Sequence, residues 1–152
     1  MKSIATSSVM RHLIPVCLAV LAGQFATSEQ AFAQANLKVI DLEVGCSPYP
    51  YQTEVRIQVK NTGSTTANYF YVDVFFDLPS APSVGDYSDS YRLLYNLQPG
   101  QVRWVTLPVP SEYVEYRHNT WVDVVLDTSR WVPESNEYDN VYSAYEWLYC
   151  FF

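Results

Sequence analysis

From Asn36 onward the chain is a series of short runs in which apolar and polar positions alternate with period two. Each run is closed by Gly, Pro, Asn or Asp. Thr53 to Lys60 is the clearest. Val55, Ile57 and Val59 point one way and Glu54, Arg56, Gln58 and Lys60 the other, which is a strand with one wet face. Before it, Asn36 to Val44 predicts a strand whose apolar side is Ile40, Leu42 and Val44. Ser47-Pro48-Tyr49-Pro50-Tyr51 is an aromatic connection, because two prolines remove the donors a central strand needs. Asn61-Thr62-Gly63 predicts a turn in which Gly63 takes positive φ. Asn68 to Asp77 sets Phe70, Val72, Val74 and Phe76 against Tyr69, Tyr71, Asp73, Phe75 and Asp77.

Leu78 to Ser90, with Pro79, Pro82 and Gly85, is the longest irregular stretch before the closing loop, of the kind that is often functional or mobile. Tyr91 to Leu97 is a further strand, and Gln98-Pro99-Gly100-Gln101 a turn with proline at its second position. Val102 to Val109 follows, then a polar connection, Ser111 to Asn119, able to hold a helical turn. Thr120 to Asp127 and Val141 to Tyr149 form a last long hairpin around a loop dense in Glu, Asn and Asp. About seven strands and no amphipathic helix favour an all-β antiparallel sandwich.

Met1 to Ala33 departs from this pattern. Lys2, Arg11 and His12 precede an apolar core from Leu13 to Ala22, and Ala31-Phe32-Ala33 offers small residues at a cleavage site, so the segment reads as a secretory signal. The core, about 10 residues long and broken by Pro15, is too short to span a bilayer. Cleavage after Ala33 leaves 119 of 152 residues, with no membrane insertion thereafter. Losing Lys2, Arg11 and Glu29 leaves 7 basic against 15 acidic residues, a net charge of −8. That balance argues against nucleic acid, whose binding needs Lys/Arg stripes, and against anionic lipid. Export to an oxidising periplasm or exterior makes Cys46 and Cys150 a natural disulfide, two free thiols being the alternative. A zinc site is disfavoured, since only His118 remains to join them.

Several stretches resemble the CARDB domain (cell-adhesion-related domain in bacteria). They are Leu37-Lys38-Val39-Ile40-Asp41, the run Val55 to Gly63 ending in Asn61-Thr62-Gly63, the turn Leu97-Gln98-Pro99-Gly100, and the closing motif Asp127…Glu134-Ser135-Asn136-Glu137-Tyr138-Asp139-Asn140. The resemblance covers about residues 37–145. It implies an immunoglobulin-like sandwich of seven strands in an exported protein, with an adhesive or spacer role. The aromatic tail from Trp147 to Phe152 is unlike the family.

Two groups of residues carry candidate chemistry. Asp127, Glu134, Asn136, Glu137, Asp139 and Asn140 place hard oxygen ligands on one loop, which suits Ca²⁺. The competing explanation is mechanical, since Asn and Asp side chains brace turns by bonding nearby backbone. The second group is aromatic. After cleavage 22 of 119 residues are Tyr, Trp or Phe, more than a core needs. Tyr69, Tyr71 and Phe75 on one strand face, with Trp131 and Tyr138 in the closing loop, are expected to be exposed and to meet a protein or glycan at the cell surface. A carbohydrate-binding module would draw on Tyr49, Tyr51, Tyr69, Tyr71 and Trp131. A structural subunit would instead show an unprotected edge strand for a partner. Asp73 and Asp77, on one face of a strand, offer a carboxylate pair, although such residues more often form the wet side of a strand, and catalysis has no further support.

Overall fold

The computed structural model describes residues 33–48, 51–83, 85–114 and 119–150. The signal-like segment, apart from Ala33, lies outside them, as do Tyr49, His118 and the Phe151-Phe152 tail. Seven strands form two antiparallel sheets. One sheet has the order β1 (Leu37–Pro48), β2 (Tyr51–Asn61), β5 (Val102–Pro108). The other has the order β4 (Ser90–Leu97), β3 (Ala67–Phe76), β6 (Asn119–Leu126), β7 (Val141–Trp147). A single helical turn, α1 (Ser111–Val114), lies in the polar connection. Among the described residues no helix is long and apolar enough to cross a membrane. The core lies between the sheets: Val55, Ile57 and Val59 of β2 pack in one cluster with Phe70, Val72, Val74 and Phe76 of β3 and Val122, Val124 and Leu126 of β6. These are the apolar halves of the alternating runs, so binary pattern alone chose the inward faces of the central strands.

The first strand departs from the pattern. Val39 pairs with Val59 but Asp41 with Gln58, so Ile40 is an extra residue in a β-bulge. A bulge inserts one residue and reverses the alternation beyond it. Leu37 and Val39 therefore point inward before it and Leu42 after it, while Ile40, expected in the core, is 41% exposed. β1 also runs on to Pro48, opposite Tyr51. It is an edge strand, where proline removes no donor that the sheet needs. Gly63 is not at positive φ. Its importance is one of space: a Cβ there would come within 2.4 Å of Ala35 C and Gln34 O. The chain before β1 lies directly on the turn, Thr62 N donating to Asn36 O at 2.7 Å and Ser64 N to Gln34 O at 2.8 Å.

After β3, Ser88 and Asp89 return to that strand, Asp89 Oδ2 accepting Phe76 N at 2.8 Å. Ser88 Oγ donates to Asp73 Oδ1 at 2.7 Å, and Pro82 and Ser83 form one wall of a cleft whose other wall includes Val125 and Thr128. The structure corrects one expectation. Phe75 lies on the outer face as read, yet it is only 1% exposed and is unavailable as a contact residue. Cys46 of β1 and Cys150, just past β7, are joined, with Cα atoms 5.6 Å apart across a separation of 104 residues. The bond clamps an edge of one sheet to an edge of the other. Closing a loop of that length stabilises the fold by about 4–5 kcal/mol on the chain-entropy model.

Gly63 in the turn and Gly45 in β1 are expected to behave oppositely. Gly63→Ala forces backbone apart and should destabilise by about 1–3 kcal/mol or more, whereas Gly45→Ala, whose new Cβ meets nothing nearer than 3.6 Å, should be nearly neutral. Urea denaturation of both variants checks the pair; equal effects would remove the packing explanation for Gly63.

Candidate functional site

The closing loop begins at Asp127, which takes a left-handed backbone (φ 52°) at the end of β6. Its carboxylate turns back into its own loop: Oδ1 accepts Trp131 N at 3.0 Å and Oδ2 accepts Val132 N at 2.8 Å. Burial pushes this carboxyl up, opposed by those two N–H donors. Glu134 is buried and forms a parallel bridge with Ala35. Its Oε2 accepts the Leu37 N–H, and its Oε1 accepts Asn140 Nδ2 at 2.8 Å. Burial raises this carboxyl from 4.5 to about 7, although both hydrogen bonds pull the other way. Glu137 Oε1 accepts Glu134 N at 3.1 Å, and Asn136 Oδ1 accepts Tyr138 N at 3.1 Å.

The loop is pinned to the start of the domain through Asn36, which the sequence reading passed over. Asn36 Oδ1 accepts both Ser135 Oγ (3.1 Å) and Asn136 N (2.9 Å). Its Nδ2 donates to Thr62 Oγ1 (3.0 Å) and Asp139 Oδ2 (3.2 Å). Its own N–H donates to Asn61 Oδ1 at 3.2 Å. Nothing in local spacing signals these bonds, because Asn36 lies 25 residues from Asn61 and 103 from Asp139. The six residues expected to offer calcium ligands are thus brought together, but the oxygens of Asp127 and Glu134 already accept from N–H groups. Asp139 Oδ1 and Asn140 Oδ1 are buried acceptors with no donor among the described residues. Among the described residues no three His, Cys, Asp or Glu side chains are grouped to hold a metal ion.

The aromatic candidates sort differently. Directly opposed residues of β3 and β4 share the outer face, in the rows Tyr69–Tyr95, Tyr71–Leu93 and Asp73–Tyr91. The Tyr71 ring lies 5.8 Å from Tyr91, edge to face, and 5.3 Å from Trp131. Tyr69, Tyr91, Leu93, Tyr95 and Trp131 are all exposed. They make a continuous aromatic platform running from the β4 edge to the closing loop. Tyr138 is 95% exposed on that loop. Tyr91, Leu93 and Tyr95 were missed, although their period-two spacing is the signal that marks one face of a strand. Asp73 and Asp77 do not act as a pair: Asp73 accepts Ser88 Oγ and Thr128 Oγ1, while Asp77 accepts Thr120 Oγ1.

Glu134 makes the fold pH-sensitive in a defined direction. Its carboxyl binds a proton more tightly folded than unfolded, so its contribution to stability is full below pH about 4.5 and is lost as pH rises to about 7. The expected loss is up to about 3 kcal/mol. Glu134→Gln should remove that part of the slope in urea titrations across the window; a variant with the wild-type slope would place the titration elsewhere.

Comparison with known proteins agrees with this architecture. No curated protein matches the chain. Among solved structures, the CARDB domain of a Pyrococcus furiosus protein, crystallised in complex with di-metal ions, superposes with a TM-score of 0.57 at 18% identity. The match covers 78% of this chain and 96% of that one, and at this identity it speaks for the fold alone. The CARDB family model matches residues 34–144, most of the sequence and all seven strands except Tyr145, Glu146 and Trp147 of β7. CARDB domains are non-enzymatic, adhesion-related modules, and this chain belongs to the CARDB family.

Proposed function

We propose that the protein is an exported, non-catalytic binding module of the bacterial cell surface or periplasm, and that its contact surface is the aromatic platform on β3 and β4. The observation that carries this reading is exposure. Cross-strand aromatic pairs stabilise sheets by about 0.2–1 kcal/mol each, but pairing does not cover them: Tyr69, Tyr91 and Tyr95 remain 59%, 64% and 56% exposed. Large apolar faces left open on a soluble sheet mark interaction sites. Rigid Tyr and Trp rings give contact area at small entropic cost.

A glycan is the partner favoured by a second observation. Beside Trp131 lies a cleft of about 470 Å³ lined by Thr128, Arg130, Glu137 and Asn140, with Val125 and Leu126 in its wall. Rings for stacking next to hydroxyl, amide and charged groups suit a sugar, whose faces are apolar and whose edges are polar. Glycan arrays and cell-envelope fractions are the probes. The wild-type protein should be retained on at least one of them. Tyr91→Ala and Tyr95→Ala should lower affinity about tenfold, equivalent to ~1.4 kcal/mol, without a matching loss of stability. Retention of both variants at wild-type affinity would move the contact surface elsewhere.

Calcium at the closing loop is the other reading with something specific behind it: the two buried acceptors, Asp139 Oδ1 and Asn140 Oδ1. Against it stand the oxygens already occupied by backbone and amide donors, which leave far fewer than the 6–8 ligands Ca²⁺ takes. The loop is expected to hold its shape by its own hydrogen bonds. Tm should then be the same in calcium and in chelator, whereas saturating a real site a hundredfold over its Kd would add about 2.7 kcal/mol.

A further inference from the structure

The outer face of the three-stranded sheet carries the residues of β1, β2 and β5 that alternate with the core. Most are polar: Lys38, Asp41 and Glu43 on β1, Arg56, Gln58 and Lys60 on β2, and Thr106 on β5. One aromatic ring stands among them. Trp104 is 47% exposed and lies opposite Gln58, so Arg56 and Lys60 are its two diagonal neighbours on β2. Such neighbours are about 7–8 Å apart, within reach of long side chains. Trp104, Arg56, Glu43 and Thr106 line a shallow cavity of about 360 Å³, the size of a small-ligand site. In its wall Arg56 Nη2 donates to Glu43 Oε2 at 2.7 Å, the one ion pair among the described residues. That bond fixes both side chains beside the ring.

The charges on this face are unbalanced close to the ring. Lys38 and Lys60 are directly opposed, and neither ammonium meets a carboxylate among the described residues. Like charges in opposed positions destabilise a sheet, yet this chain places two of its 9 basic residues there, against 16 acidic ones overall. The acids of the face are engaged or distant. Glu43 is held by Arg56, Asp41 Oδ1 accepts Leu42 N at 3.0 Å, and Glu54 stands farther along β2, opposite Gly45. Val102, next along the outer face of β5, is also exposed, and Ile40 stands apart on β1. So few apolar side chains among charged groups are too little for a protein interface, in which each partner buries about 800 Å² around an apolar centre. They fit a small ligand with an apolar face, polar edges and a negative charge.

We propose that this face is a second binding site, separate from the platform on β3 and β4, and that its ligand is an acidic sugar of the uronate type. The pyranose face stacks on Trp104. Hydroxyls at its edge meet Thr106 and the Arg56–Glu43 pair, which offers donors and an acceptor together. The ring carboxylate meets Lys60, with Lys38 beside it, and relieves the repulsion between the two ammonium groups. One carboxylate per ring matches two ammonium groups beside one indole. A chain dense in sulfate or phosphate would bring the rest of its charge against Asp41, Glu43 and Glu54. The two sites lie on different sheets and face away from each other, so one domain would join two glycan chains rather than hold one chain twice.

The test is titration of the purified protein with an oligouronate, read by tryptophan fluorescence and calorimetry. Beside it run the same oligosaccharide with its carboxyl groups reduced to alcohols and a sulfated glycan of like size. The uronate should bind about tenfold or more tighter than either control. Trp104→Ala should lower uronate affinity about tenfold, and Lys60→Gln should remove the preference for the uronate over its reduced form. Both side chains point outward, and circular dichroism checks that each variant is folded. The proposal is overturned by a wild type that does not bind the uronate or that binds a control equally well. Full affinity in folded Trp104→Ala, or an unchanged preference in folded Lys60→Gln, overturns it too. The platform on β3 and β4 is tested through Tyr91 and Tyr95, so either site can fail without the other.

Discussion

A small buried polar pin holds the two ends of this domain together. Asn61, fully buried, donates to Thr65 O and Leu97 O and accepts from Gly63 N and Asn36 N. Asn36 in turn holds Thr62, Ser135, Asn136 and Asp139, and Glu134 holds the first N–H of β1. Three segments far apart in the chain therefore meet at one end of the sandwich. A buried polar group costs about 1–3 kcal/mol if its partner is removed, so any displacement of the start of the domain, the Asn-Thr-Gly turn or the closing loop leaves several such groups without partners at once. Apolar packing between the sheets tolerates some sliding. This cluster does not, and it sets where β1 starts relative to β2 and where β6 hands over to β7.

The pin explains why the closing motif reads as a ligand set from sequence. Acidic and amide side chains crowded on one loop look the same whether their oxygens face a cation or backbone N–H groups. The deciding partners, Ala35, Asn36 and Leu37, lie about 100 residues upstream, beyond any local pattern. The family-level fold and the inward faces of β2, β3 and β6 were legible because alternation is a local property with an unambiguous period. What alternation could not show was where it breaks. The Ile40 bulge changes which residues of β1 reach the core, and Phe75 obeys the alternation of faces but is buried all the same, which a two-residue period cannot show. Gly63 was singled out correctly for the wrong reason, since backbone crowding against Gln34 and Asn36 leaves no trace in the turn's own sequence.

The outer face of the larger sheet is divided. At its centre Asp73 and Asp123 are buried and accept from the hydroxyls of Ser88, Thr128 and Ser143, a polar seam. On either side the sheet is aromatic and open: Tyr69, Tyr71, Tyr91, Tyr95 and Trp131 toward β4, Trp121, Tyr145 and Trp147 toward β7. The core does not use this surplus, since it is already filled by Ala, Val, Leu, Ile, Phe70 and Phe76.

Two separate open patches call for two explanations. The first lies over paired strands and beside a polar cleft, so its backbone is satisfied and only its rings are available, as recognition by stacking requires. The second borders β7, an edge strand of the four-stranded sheet whose one charged residue is Glu146, so there the rings lie beside a sheet edge rather than over paired strands.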